Sequence, residues 1–298
     1  MAGVRQAAKC PHSSDLFVEY VETVYLPFVE RTMKPSTYSG YKTYFERYIK
    51  PRAGNYALRD FTVAVVSSLL EDIASNHALN SDTLSKVRSI LSGIFTYAMG
   101  KGHFPGKRAS DNPASCALIP ELATEPKRTI AARFEDVQGI LAALKGMPLA
   151  RAAVAILAYT GVRPGEARGL RWEEWNRVEK HIAVNRSVWH REVGTTKTDQ
   201  SERFVAVSDE LREILLDLWN AKGSPIGGYI LAGRKEHPVI LDNLAKRVIV
   251  PALEKCSVCR ESKADHMRPM TICSGKTNLC RNGTAGTRCA VSLAQRYV

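Results

Sequence analysis

The stretch that most constrains this chain is a junction between two helices. Val154, Ile156 and Leu157 lie on an apolar helical run that breaks at Thr160-Gly161, and Pro164 and Glu166 then open another helix. Proline suits the first helical turn, where its missing N–H is not needed, and a carboxylate suits the positive end of the helix. Arg163 is therefore presented at the junction, held by its neighbours, with a planar fork that matches phosphate geometry. Taken alone, T-G-x-R reads first as a plain turn carrying an Arg–Glu pair. The continuation to Leu170-Arg171-Trp172 makes the pattern longer and more specific.

The surroundings favour a polyanionic partner. The chain has 298 residues, enough for two domains with cores of their own, and 42 Lys and Arg against 30 Asp and Glu give a net charge of +12. That excess puts nucleic acid ahead of a membrane surface. No apolar run is long enough to span a bilayer and no secretory leader opens the chain. The seven cysteines, an odd number, then point to a reducing cytoplasm.

Residues 1–12 lack periodicity and read as a disordered tail. Ser13-Ser14-Asp15 are expected to cap a helix with Leu16, Phe17, Tyr20, Val21, Tyr25 and Leu26 on its apolar side. Pro35-Ser36-Thr37 starts a second helix bearing Tyr38, Tyr41, Tyr44, Phe45 and Tyr48, with Lys42, Arg47, Lys50 and Arg52 interleaved. A third begins near Asp60–Thr62 and a fourth at Ser81-Asp82. Asp111-Asn112-Pro113 closes an all-α domain, 13–113, of about 100 residues. Its tyrosine stripe reads mainly as core. Its interleaved cations can touch phosphates or simply form a solvated basic face. Residues 114–128 read as a linker, with Pro113, Pro120 and Pro126 breaking helices, in which Lys127 and Arg128 can meet phosphate.

A second domain follows over 129–255. Helices start at Phe134-Glu135-Asp136 and Leu149, and the latter delivers Arg163. Two period-2 segments are expected, His181–Val184 with Ser187–Trp189, and Arg203–Val207, with Gly194–Ser201 as a polar hairpin tip between them. A helix over Asp209–Leu218, a short strand or turn at Tyr229-Ile230-Leu231 and a helix over Leu241–Leu253 complete it.

The Arg163 string closely resembles the first arginine box of the tyrosine recombinases, the phage-integrase family, which reads T-G-x-R-x-x-E followed by L-x-W. Thr196-Lys197-Thr198, Ser201 and Arg203 resemble that family's lysine hairpin in order and distance. The helical domain looks like its core-binding domain, one jaw of a clamp around DNA. The resemblance implies a mainly α fold: an N-terminal four-helix core-binding domain, then a mixed α+β catalytic domain with a small antiparallel β-sheet. Arg163 and Lys197 are then catalytic, Glu166 supports Arg163, and Lys42, Arg47, Lys127, Arg128 and Arg203 contact DNA. The implied chemistry needs no cofactor. A tyrosine attacks a phosphodiester and becomes linked to the 3′ phosphate, arginines stabilise the phosphorane and the lysine protonates the leaving oxygen. Implied partners are double-stranded DNA and other recombinase protomers on it, with no membrane.

The C-terminal part of that domain is expected to be missing. The family's H-x-x-R box and tyrosine nucleophile should follow Leu253, yet His266-Met267-Arg268 has the wrong spacing and Tyr297 has no such box before it. Residues 256–298 are Cys-, Thr-, Gly- and Asn-rich, with five of the seven cysteines. Joining the third base of each codon to the first two of the next, from Lys276 through Ala290 into Val291, permits Asp-Glu-Ser-Leu-Pro-Glu-Trp-His-Gly-Trp-His-Ala-Leu-Arg-Arg. That string contains an H-x-x-R box, although the degeneracy permits other translations. The tail is therefore read as out of frame, and the chain as a recombinase that binds DNA without cleaving it. The alternative is a non-cleaving accessory DNA-binding protein with a native, zinc-binding tail built on Cys256, Cys259 and His266, although only the first cysteine couple is closely spaced.

Overall fold

The computed structural model describes residues 10–121, 123–124, 131–194, 203–233 and 235–254. The chain divides into two compact units, one ending at Thr129 and the other starting at Ile130. Both are mainly helical, and the second carries small antiparallel sheets.

In the first unit, helix α1 (17–32) runs from Phe17–Tyr20 through a π-helical turn, Val21–Tyr25, into Leu26–Thr32. Helix α2 (35–53) has the same make-up: Pro35–Tyr44, a π turn Phe45–Ile49, then Lys50–Ala53. Helices α3 (Val63–His77) and α4 (Ser81–Gly100) follow, capped by the side chains of Thr62 and Asn80. The π turns have an identifiable cause. Pro27 and Pro51 each fall two residues beyond one, and a proline inside a helix removes a hydrogen bond and clashes with the carbonyl four residues back. Those carbonyls belong to Thr23 and Arg47, the central residues of the two wide turns, where the i→i+5 pattern moves them aside.

The core of this unit is aromatic. Phe17, Phe45 and Phe95 are fully buried, and the Phe17 and Phe61 rings lie 4.4 Å apart. Full burial of each such side chain contributes about 1.5–3 kcal/mol. On α2, Phe45 and Tyr48 are buried while Tyr38, Tyr41 and Tyr44 pack half-buried against the same core.

Two local expectations need correction. Ser13-Ser14-Asp15 do not cap α1: Pro11–Ser14 form a 3₁₀ turn, and the helix begins at Phe17 with no side-chain cap. Backbone pairing takes over the cap's work, because Phe17 N–H donates to Tyr56 O at 2.9 Å and Leu58 N–H to Asp15 O at 3.0 Å. The described part of the expected linker also packs on this unit. Pro113 opens a short helix, α5 (Pro113–Cys116), instead of ending one, because its ring fits a first turn. Asn112, 1% exposed, caps α5 and donates to Ser92 O at 2.8 Å and Thr96 Oγ1 at 3.0 Å on α4. Ala114 and Ala117 are buried in the first core, and Thr124 pairs with Leu79 and Ser81.

In the second unit, α6 (Phe134–Ala143), α7 (Pro148–Thr160) and α8 (Pro164–Gly169) precede the strands. Strands β1 (Trp175–Asn176), β2 (His181–Val184) and β5 (Arg203–Ala206) form an antiparallel sheet in the order β1-β2-β5. Strands β3 (Ser187–Trp189) and β4 (Glu192–Gly194) form a separate hairpin, with Val188 opposite Val193. The Ser187–Trp189 segment thus turns back at once, while β2 pairs with β5 and sets Ile182 opposite Val205. Helix α9 (Asp209–Ala221) buries Leu211, Ile214, Leu215 and Leu218 in the same core as the alanine-rich side of α7. Helix α10 (241–254) contains a third π turn, Ala245–Ile249, two residues ahead of Pro251.

Candidate functional site

The α7–α8 junction is built as its residues dictate. Gly161, with φ +62°, takes the left-handed position that ends α7, and its N–H bonds to Leu157 O at 3.2 Å. Val162 is buried, and Arg163 is the N-cap of α8 with Pro164 in the first turn.

Glu166 returns from the third position of α8 to this cap. It accepts the Arg163 N–H at 3.0 Å on Oε2, and Arg163 Nη1 at 2.8 Å on Oε1. From β5, Arg203 Nη2 reaches Oε2 at 2.9 Å. Glu166 is 2% exposed, whereas the Arg163 side chain is 62% exposed. Burial pushes the Glu166 carboxyl up, but hydrogen bonds from Arg203 and Arg163 outweigh it and hold the group below the usual carboxylate range. Two guanidiniums on one carboxylate leave a local net charge of +1, with Arg163 facing solvent: an arrangement able to receive an anion.

A second arginine, which the sequence reading did not single out, anchors α8. Arg168, 7% exposed, donates to three carbonyls: Val239 O at 2.8 Å, Val188 O at 2.9 Å and His190 O at 2.6 Å. Burial pulls its pKa down, opposed by Asp242. The approach of α8 to its neighbours is close enough to require glycine: a Cβ on Gly169 would stand 2.7 Å from Arg186 O. Arg186 in turn forks onto Glu174 at 2.8 and 2.7 Å. The expected element at Tyr229-Ile230-Leu231 is a bridge: Arg171 pairs with Tyr229, and the Arg171 guanidinium lies 5.3 Å from the Tyr229 ring centre.

Of the residues singled out beforehand, Arg163, Glu166 and Arg203 therefore meet. In the first unit, Lys42 is exposed and 4.0 Å from Glu46, and Arg47 lies 5.3 Å from the Tyr48 ring centre. Lys50 pairs with Glu22, and Arg52 with Asp72 at 2.6 Å. Lys127, Arg128, Lys197, Ser201 and the tail with Cys256, Cys259, His266 and Tyr297 lie outside the described residues. Among the described residues no cluster of His, Cys, Asp and Glu is placed to hold a metal ion, and no helix is long and apolar enough to cross a membrane.

Residues 16–72 match the family model of the phage-integrase N-terminal SAM-like domain. The chain is 24% identical over 248 residues to a XerC-like tyrosine recombinase of Caldanaerobacter subterraneus subsp. tengcongensis, a match covering 79% of this chain and 58% of that protein. Its fold is similar to that of the Tn1549 transposon integrase in complex with a circular intermediate DNA, with TM-score 0.63, 13% identity, and 85% of this chain and 81% of that chain covered. It is likewise similar to a lambda integrase dimer bound to a COC′ core site, with TM-score 0.57, 18% identity, and 80% and 62% covered. The chain thus spans less than two thirds of the length of the XerC-like relative and of that lambda integrase chain. With the junction just described, these likenesses make the chain a relative of the tyrosine recombinases, with an integrase-type SAM-like domain in its first unit and the integrase fold.

Proposed function

We propose that this chain binds double-stranded DNA as an integrase-type protein and places Arg163 on a backbone phosphate. The observation that carries the reading is the Arg163–Glu166 pair: an exposed guanidinium at a helix junction, pinned by a buried carboxylate. The Tn1549 and lambda integrase structures hold DNA, and lambda integrase forms a tetramer on a Holliday junction. By that likeness this chain meets other protomers on DNA. Within this reading Lys197 is the general acid, Glu166 supports Arg163, and Lys42, Arg47, Lys127 and Arg128 neutralise phosphates. Residues 13–113 act as the core-binding domain and 129–255 as a partial catalytic domain.

Strand cleavage is not expected, because no H-x-x-R box occurs anywhere in the 298 residues. Without it the phosphorane lacks its second arginine. The test pairs a titration of duplex DNA at rising salt with a search for a covalent protein–DNA adduct on nicked substrate. Expected are affinity that falls linearly in log K against log salt, a loss of roughly tenfold on Arg163→Ala, and no adduct. Salt-independent or absent binding overturns the DNA reading, and an adduct overturns the proposed incompleteness. The nucleotide sequence beyond the Leu253 codon tests the frame of the tail. One equivalent of zinc on the purified protein favours the accessory, zinc-holding alternative.

A further inference from the structure

We propose that Arg203 is a positioning residue for Arg163, acting through the Glu166 carboxylate that both hold. The inference rests on the reading that Arg163 meets a DNA phosphate, and it deepens that site. Helix α8 has six residues, Pro164–Gly169, too few to hold its own geometry in water. Glu166 accepts Arg163 Nη1 on Oε1 at 2.8 Å and Arg203 Nη2 on Oε2 at 2.9 Å. Arg163 holds both oxygens from within its own turn, its N–H sharing Oε2 at 3.0 Å, so that hold moves with α8; Arg203 is the hold that comes from a second element and ties the carboxylate to the sheet. The far holder is itself fixed, since Arg203 stands opposite Val184 in the β2–β5 ladder. Sheet register is thus passed through Arg203 and Glu166 to the Arg163 guanidinium. Burial of Glu166 keeps water from taking Arg203's place.

The test is a double-mutant cycle on the full chain, read as affinity for a mixed-sequence DNA duplex at fixed salt. Arg203→Ala alone should weaken binding roughly three- to tenfold, and should add nothing in an Arg163→Ala background. Arg203→Lys, which can still reach Oε2, should recover most of the loss. Multiplying losses, or no rescue by lysine, would overturn the proposal and make Arg203 an independent phosphate contact. Cooperative melting of each variant guards against misfolding.

A second measurement needs no DNA. With ¹⁵N-labelled arginine, the Arg163 Nε–H signal, assigned through Arg163→Lys, should report greater side-chain mobility in Arg203→Lys and still more in Arg203→Ala. An unchanged Arg163 signal overturns the inference. If the wild-type chain shows no DNA affinity, the functional reading fails, while the arginine signal still decides whether Arg203 positions Arg163.

Discussion

Arg203 Nη2 and Glu166 Oε2 lie 2.9 Å apart although 37 residues separate them in the chain. A carboxylate on α8 is therefore neutralised in part from a strand. Removing its charge leaves two part-exposed guanidiniums without a counter-charge and replaces one buried acceptor oxygen by a donor amide. Glu166→Gln should destabilise the second unit by about 1–2 kcal/mol at neutral pH, read by urea unfolding.

The same carboxylate sets a pH dependence. In the unfolded chain a glutamate titrates near 4.5, and folding holds Glu166 below that. Its ionised form therefore adds stability that is fully present above that value and is lost as pH falls through the folded-state value. The stability gap between wild type and Glu166→Gln should be constant from pH 7 down to about 5 and narrow below 4.5. A gap that does not change with pH would refute the assignment.

Arg168 offers a sharper structural test. Replacing it with Met leaves the carbonyls of Val188, His190 and Val239 without their donor, at about 3 kcal/mol or more in total. Arg168→Lys should recover little, because a point ammonium cannot span three acceptors that a planar fork reaches. Denaturant midpoints check the loss, and faster amide exchange at the β3–β4 hairpin locates it. A lysine variant as stable as wild type would contradict this account.

Two glycines should respond in opposite directions to the same change. Gly169→Ala would put a Cβ 2.7 Å from the Arg186 carbonyl, a backbone atom with no freedom to retreat, and should cost about 1–3 kcal/mol. Gly139→Ala, inside α6 with nothing within 4 Å of the added carbon, should stabilise by up to about 1 kcal/mol. Equal effects from the two would mean that α8 is not packed as described.

His103 makes the first unit acid-sensitive. Burial lowers its pKa from the ordinary 6.5, helped by the His12 ring 4.6 Å away and opposed by Asp15. A neutral histidine depressed in this way favours the fold at pH above 6.5, and that advantage is lost as pH falls through the folded value. Melting of the first unit should decline between pH 7 and 5, and less steeply in His103→Gln. Parallel curves for the two proteins would rule this out.

What was legible in advance was local. The Arg163–Glu166 pair is an i, i+3 relation across one helical turn, so spacing alone placed the two side chains together. The start at Pro35 rests on a proline ring that fits a first turn, those read near Asp60–Thr62 and Ser81-Asp82 fall beside the side-chain caps Thr62 and Asn80, and the apolar faces of α3 and α4 follow a 3.6-residue period. Pro27, Pro51 and Pro251 are equally local, but their effect is to widen a helix, which a pattern of apolar positions does not register.

The rest was decided by distant partners. The start of α1 moved to Phe17 because residues 56–58 supplied the backbone bonds a cap would have supplied. Pro113 began a helix because Asn112 could reach Ser92 and Thr96 on α4. Arg168 looked like one more surface cation in a basic chain until packing brought carbonyls 20, 22 and 71 residues away around it. Arg203, grouped beforehand with the DNA-facing cations, met Glu166 only because β5 lies beside β2. Sequence by itself determined the helices and the Arg163 turn, since their causes act within one or two turns of chain. Tertiary structure alone decided which charges are buried and what they hold, because desolvation depends on neighbours that the order of residues does not reveal.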